Sequence, residues 1–296
     1  MEWKSKRLDA LLEQALVEDK AAGDTTTNLT IDPNLRATAT ILARQELVVC
    51  GLGCVPRFFD IFAKLDSRGG AQNRYEVISH PEIFDGVRVH DGQALAVIRH
   101  NARALLSCER VILNLMQHLS GISTLTREFA DRIQGTSARV LDTRKTVPGL
   151  RSLEKYAVLC GGGTNHRLDL SDGILIKNNH ISLGGGIAAV LTKAFANRLP
   201  GKRVQIEVRS MAELDEALQY GAEAVLLDNM TPAQVAGCVA RVKAEKRWIP
   251  TEASGSIVLD NIRAYAETGV EFISVGALTH SAKAADISMR ITAEGL

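Results

Sequence analysis

No stretch of this chain approaches the roughly 18 consecutive apolar residues that a membrane span requires, so no spanning helix is expected. Net charge is almost absent as well. The 35 Lys and Arg are matched by 34 Asp and Glu, which leaves no general basic field to recruit nucleic acid. Cysteine is scarce and odd in number. Cys50, Cys54, Cys108, Cys160 and Cys238 sit mostly among apolar residues, which suits free thiols in a reducing cytoplasm. The pair Cys50 and Cys54 has poor metal spacing and no second ligand pair, so no zinc site is expected there. The amino terminus, residues 1–7, leads into an amphipathic helix and lacks the apolar core of a signal peptide. What remains is an ordinary globular composition, 46% apolar and 23% charged. At 296 residues it is long enough for one large domain or two modest ones.

The first third mixes element types. Leu8, Leu11, Leu12, Ala15 and Leu16 form a helical stripe that ends before Gly23. Ala37, Ala39, Ile41 and Ala43 alternate as in a half-buried strand, and residues 75–80 make a second strand candidate. Residues 87–90 and 94–99 flank Asp91-Gly92, a hairpin signal. A long helix is expected over 102–118 with Asn101 as its N-cap, its buried face marked by Leu105, Cys108, Ile112, Leu115 and Leu119. From residue 139 the rhythm becomes strand, loop, helix, repeated. Strands are expected at 139–143, 173–177, 204–208, 224–228, 249–253 and 272–276. Capping boxes at Ser210/Glu213 and Thr231/Gln234 open two of the intervening helices, and Asp260 opens a third. No Gly-x-Gly-x-x-Gly follows the first of these strands, which favours a parallel barrel over an open dinucleotide-binding sheet.

In such barrels the chemistry lies at the carboxyl ends of the strands. Those positions hold Thr143, Arg144 and Lys145, then Lys177, Glu207, Asp228, Ser254-Gly255-Ser256, and Gly276-Ala277. Between the first two strands, Gly161-Gly162-Gly163 leads to His166 and Arg167. Singly, Arg144 could pair with Asp142, the lysines could be solvated, and Asp228 could cap the next helix. Together, two arginines, two lysines and a histidine within 36 positions point to a ligand with several negative charges. Glu207 lies inside an apolar strand, where a carboxylate is costly unless a cation or ligand compensates, and Gln205 shares its face. Glycines at the last two strand ends suit close approach to phosphate, helped by unpaired N–H groups of the helix starting near Asp260.

Several of these motifs resemble quinolinate phosphoribosyltransferase: DTRKTVPGLR (142–151), KYAV (155–158), CGGG (160–163), NHR (165–167) and LIKNNHI (175–181). So do Glu109-Arg110, Leu113-Asn114 and LSG (119–121), with LDN (227–229), EASG (252–255) and FISVGAL (272–278). The resemblance implies an α/β fold, an incomplete parallel α/β barrel preceded by an N-terminal α/β sandwich. It divides the chain into residues 1–118, joined by 280–296, and the barrel of 119–279. It also implies transfer of phosphoribosyl from phosphoribosyl pyrophosphate (PRPP) to quinolinate with decarboxylation, in NAD biosynthesis.

By the same resemblance Arg144, Lys145, His166, Arg167 and Lys177 hold carboxylates and phosphates. Glu207 and Asp228 face the ribose and a Mg2+ carried by the pyrophosphate. Ser254, Gly255 and Gly276 seat the 5-phosphate. Arg110 reaches the site of a neighbouring subunit in a homodimer or larger assembly. Three positions depart from the family pattern: Gln205 for Glu, Ser256 for Gly, and Asn178 for an acidic or small residue. Rival readings are a paralogue of the same fold associated with molybdenum uptake, a Schiff-base lyase using Lys145 or Lys177, and a non-catalytic sensor of phosphorylated ligands.

Overall fold

Leu8, Leu12 and Leu16 recur every four residues and are at most 5% exposed, so Lys6–Glu18 folds as the amphipathic helix α1, capped by the Ser5 hydroxyl. The computed structural model describes residues 1–66 and 74–294, so residues 295 and 296 of the expected C-terminal segment lie outside it. It divides into two units, residues 1–125, 159–161 and 282–296 in one, 126–158 and 162–281 in the other.

In the first unit α1 is followed by α2 (Thr25–Thr30), β1 (Arg36–Ala43), β2 (Leu47–Val48), α3 (Cys54–Leu65), β3 (Glu76–Ile78), β4 (Arg88–Val89), β5 (Ala94–Asn101) and the long α4 (Ala102–Arg132). The inward residues of β1 alternate as expected, Ala37, Ala39, Ile41 and Ala43 being buried. One edge of β1 pairs antiparallel with β5, and the far edge of β5 takes β3.

Two local expectations are corrected here. The segments flanking Asp91-Gly92 do not form a hairpin. Gly92 does turn, at φ +79°, but its N–H donates to the Ala43 carbonyl at 2.9 Å. With both edges of β5 occupied, β4 pairs instead with β2 in a separate two-stranded sheet. The helix expected to end at 118 runs on to Arg132 because its apolar stripe continues through Leu119 and Ile122 to Phe129. Gly121 lies inside this helix. A Cβ there would lie 2.0 Å from the Lys283 carbonyl oxygen, so the glycine admits the C-terminal segment against the helix. Asn101 does cap α4, its side chain accepting from Arg103 N–H at 2.9 Å.

The second unit alternates β6 (Arg139–Leu141), α5 (Arg151–Cys160), β7 (Ile174–Ile176), α6 (Asn178–Gly184), α7 (Ile187–Asn197), β8 (Val204–Val208), α8 (Met211–Gln219), β9 (Ala224–Asp228), α9 (Pro232–Lys243), β10 (Thr251–Ser254), α10 (Ile262–Ala266), β11 (Phe272–Ser274) and α11 (Ala277–His280). Its six strands are all parallel, in the order β6-β11-β10-β9-β8-β7. The outer strands β6 and β7 are not neighbours in the sheet, so the barrel is incomplete. β6 stops at Leu141 and β7 at Ile176, which leaves Thr143 to Lys145 and Lys177 just past the strand mouths. Parallel strands bring all six carboxyl ends to one rim. The chain closes with β12 (Ile287–Ala293), which pairs antiparallel with the free edge of β1.

Candidate active site

Around that rim lies a cavity of about 540 Å³. Its walls include Thr143, Arg144, Lys145, His166, Arg167, Lys177, Glu207, Asp228, Ser254, Gly255, Ser256, Gly276 and Ala277. Arg110 is the sequence candidate that is absent from this wall. It stands exposed on α4, in the first unit.

Asp142 is not the partner of Arg144. The carboxylate is fully buried and bonds instead to the Lys155 ammonium, while Arg144 keeps a buried Nε without a hydrogen-bond partner. An orphaned guanidinium N–H on a cavity wall costs free energy that an anionic ligand would recover. Arg167 is nearby and holds the Gly173 carbonyl at 3.1 Å. Burial, and then the Arg144 charge, draw its pKa below the usual arginine value. Two cations on one cavity wall that feel each other's charge can hold an anion. Lys145 is placed by its backbone, whose carbonyl accepts from the Thr279 hydroxyl at 2.7 Å and whose N–H donates to Thr143 Oγ1 at 3.0 Å.

The same cavity also carries carboxylates. Glu207, 7% exposed on β8, lies 3.8 Å from the Lys177 ammonium. Burial, reinforced by the Asp228 carboxylate on the adjacent strand, raises its pKa against the pull of Lys177. Asp228 does not cap the next helix, since Thr231 does. The Asn178 backbone N–H also draws the Glu207 pKa down, and the Asn178 side-chain oxygen is buried with no partner. Among the described residues no group of three or more His, Cys, Asp or Glu could hold a metal ion alone. Glu207 and Asp228 offer two carboxylates to a cation that brings its other ligands with it.

The floor is a buried hydrogen-bonded network. Glu252, 4% exposed, accepts from Gln205 Nε2 at 2.7 Å and from the Ser274 hydroxyl, and lies 3.3 Å from His166 Nε2. Burial pushes this carboxylate up, but bonds from His166, Ser274 and Gln205 together hold it below its ordinary value. The other ring nitrogen of His166 accepts from Arg167 N–H at 2.7 Å.

After β10 the chain turns left-handed twice, Gly255 at φ +99° and Ser256 at +54°. A Cβ on Gly255 would fall 2.2 Å from Asn229 Oδ1, and one on Gly276 would meet the Lys145 side chain at 3.1 Å. The helix expected to offer free N–H groups here is only Ile262–Ala266. The Ile262 and Asn261 N–H groups are spent on the Val258 carbonyl, and Val258 N–H on Asn261 Oδ1. Residues 254–257 line the cavity wall, with the left-handed turn among them.

Comparison with known proteins settles the kinship. The family model for the N-terminal domain of quinolinate phosphoribosyl transferase matches residues 24–120, and that for its C-terminal domain matches residues 122–290. The chain belongs to the quinolinate phosphoribosyltransferase family. It is 39% identical to the nicotinate-nucleotide pyrophosphorylase (carboxylating) of Mycobacterium leprae, over 94% of this chain and 95% of that one. It is 38% identical to quinolinate phosphoribosyltransferase (decarboxylating) 2a of Nicotiana tabacum, over 97% and 83%. The crystal structure of NadC from Streptococcus pyogenes superposes with a TM-score of 0.88 at 35% identity, covering 97% of this chain and 96% of that one.

The departures from the family pattern can now be placed. Ser256 adopts the left-handed turn without a glycine, a conformation that costs an L-residue roughly 1–2 kcal/mol. Gln205 lies against Glu252, where a second carboxylate would have to share a proton with it. His280, Asn229, Ile257 and Val258 also line the cavity. Sequence reasoning gave His280 no role; its position four residues after Gly276, one turn along α11, was the available signal.

Proposed function

We propose that this protein transfers the phosphoribosyl group of PRPP to the ring nitrogen of quinolinate and releases pyrophosphate and carbon dioxide, forming nicotinate mononucleotide. The observation that carries this reading is the cavity's polarity. Arg144, with its unpaired Nε, and Arg167 line the same cavity as the carboxylates of Glu207 and Asp228. Quinolinate brings two adjacent carboxylates, which suit paired guanidinium groups. As the sugar–pyrophosphate bond breaks, positive charge develops at the anomeric carbon, and fixed carboxylates such as Glu207 and Asp228 stabilise it. Loss of the 2-carboxylate leaves a carbanion beside a cationic ring nitrogen, which a wall of basic groups also favours. The 254–257 turn and Gly276 seat the 5-phosphate.

Mg2+ fits this donor set as an ion that arrives on PRPP. Glu207 and Asp228 would face it, and it would supply charge stabilisation to the departing pyrophosphate. Arg110, exposed on α4, supports a homodimer in which each subunit lends that arginine to the other. Five free cysteines support a cytoplasmic location. Among the described residues no helix is long and apolar enough to cross a membrane. The test is calorimetric titration of Arg144→Ala with quinolinate. Binding should be lost while the melting temperature stays near wild type, and unchanged affinity would reject the role of Arg144.

A further inference from the structure

Asp142, Glu154 and Lys155 are ionisable side chains exposed by 2% or less, and none lines the cavity. Each is bonded to a loop that carries the cavity's cations. Lys155 Nζ donates to Asp142 Oδ1 and, at 3.1 Å, to the His166 carbonyl. Asp142 Oδ1 also accepts from His166 N–H at 2.8 Å, and its Oδ2 lies 2.6 Å from the side-chain amide group of Asn165. Glu154, the residue before Lys155, accepts from Val147 N–H at 3.2 Å. Consecutive residues of α5 therefore hold both loops, Glu154 the one leaving β6 with Arg144 and Lys145, Lys155 the one bearing His166 and Arg167.

Stability alone is a poor reason for this arrangement. A buried ion pair contributes little over well-packed apolar side chains, although breaking it is costly. What apolar residues would not provide is direction. Only a donor and an acceptor with fixed partners can tie two loops to one helix at a set separation.

We propose that Lys155, with Asp142 and Glu154, is a positioning residue that fixes the spacing between the Arg144 and Arg167 loops, so that both guanidinium groups engage adjacent carboxylates of one ligand. The inference rests on the function proposed above. A displacement of about 1 Å at such a site is enough to cost a large factor in turnover or affinity.

The test compares wild type with Asp142→Asn/Lys155→Met, which removes both charges of the pair together. The double variant should melt within a few degrees of wild type. Its KM for quinolinate should rise about tenfold or more while the KM for PRPP moves much less. A folded double variant with wild-type KM for quinolinate overturns the proposal. If it fails to fold, Glu154→Gln and Glu154→Leu decide the matter. Gln keeps an acceptor for Val147 N–H and should keep the wild-type KM, whereas Leu should raise it, and equal values would overturn the proposal. Wild-type turnover separates the two claims. An inactive wild type rejects the function, while an active wild type with an indifferent double variant rejects only the positioning role.

Discussion

At the scale of single residues, Glu207 and Gly255 give the sharpest expectations. Burial and the Asp228 charge raise the Glu207 pKa in the folded state, so folding favours its protonated form. That contribution is fully present below the unfolded value and is lost as pH rises through the folded one. Glu207→Gln should therefore raise the melting temperature at pH 7, and the gain should vanish near pH 4. A scan of melting temperature against pH checks this. Turnover should fall about a hundredfold, as for other groups that stabilise transition-state charge. Gly255→Ala forces a side chain into a φ of +99° and against Asn229, and should destabilise by about 2 kcal/mol in denaturant titrations. Much of this was legible beforehand. The cations, both carboxylates and the glycines were visible at strand ends because β/α periodicity tells where strands end. The Glu252 network was not, since its partners come from three separate segments and only folding brings His166, Gln205 and Ser274 to one carboxylate.

At the scale of elements, α4 shows where local signals mislead. The helix expected to end at 118 continues to Arg132, and Gly121 within it serves the approach of Lys283. Replacing it with alanine would gain about 1 kcal/mol of helix propensity. The Cβ would stand 2.0 Å from a backbone oxygen, and overpacking of that kind costs typically 1–3 kcal/mol. The clash should win. Gly121→Ala should lower the melting temperature and speed hydrogen exchange in β12, which Gln117 holds through the Ile287 carbonyl at 2.7 Å. An unchanged melting temperature would contradict this packing. The missed hairpin has the same origin. Asp91-Gly92 does encode a turn, but strand partners are chosen by which edges remain free, and that depends on β1 and β3. The parallel sheet was easier to read because each βα unit repeats the same local grammar and its strand order follows from right-handed crossovers.

At the scale of the whole molecule, the site as proposed needs a second copy of the chain to supply Arg110. Mixing inactive Arg110→Ala with inactive Lys145→Ala subunits should restore about a quarter of wild-type activity, because half of the dimers are mixed and each has one intact site. No recovery in verified mixed dimers would contradict shared sites. The broad architecture was legible from the change of periodicity at residue 139, whereas how subunits meet leaves no periodic trace in one chain. The central claim is the reaction itself. The most direct measurement is to incubate the protein with quinolinate, PRPP and Mg2+ and to quantify carbon dioxide, pyrophosphate and nicotinate mononucleotide together. The account predicts equal amounts of all three, dependent on both substrates. Pyrophosphate released without mononucleotide, or no turnover of quinolinate by folded protein, would contradict it.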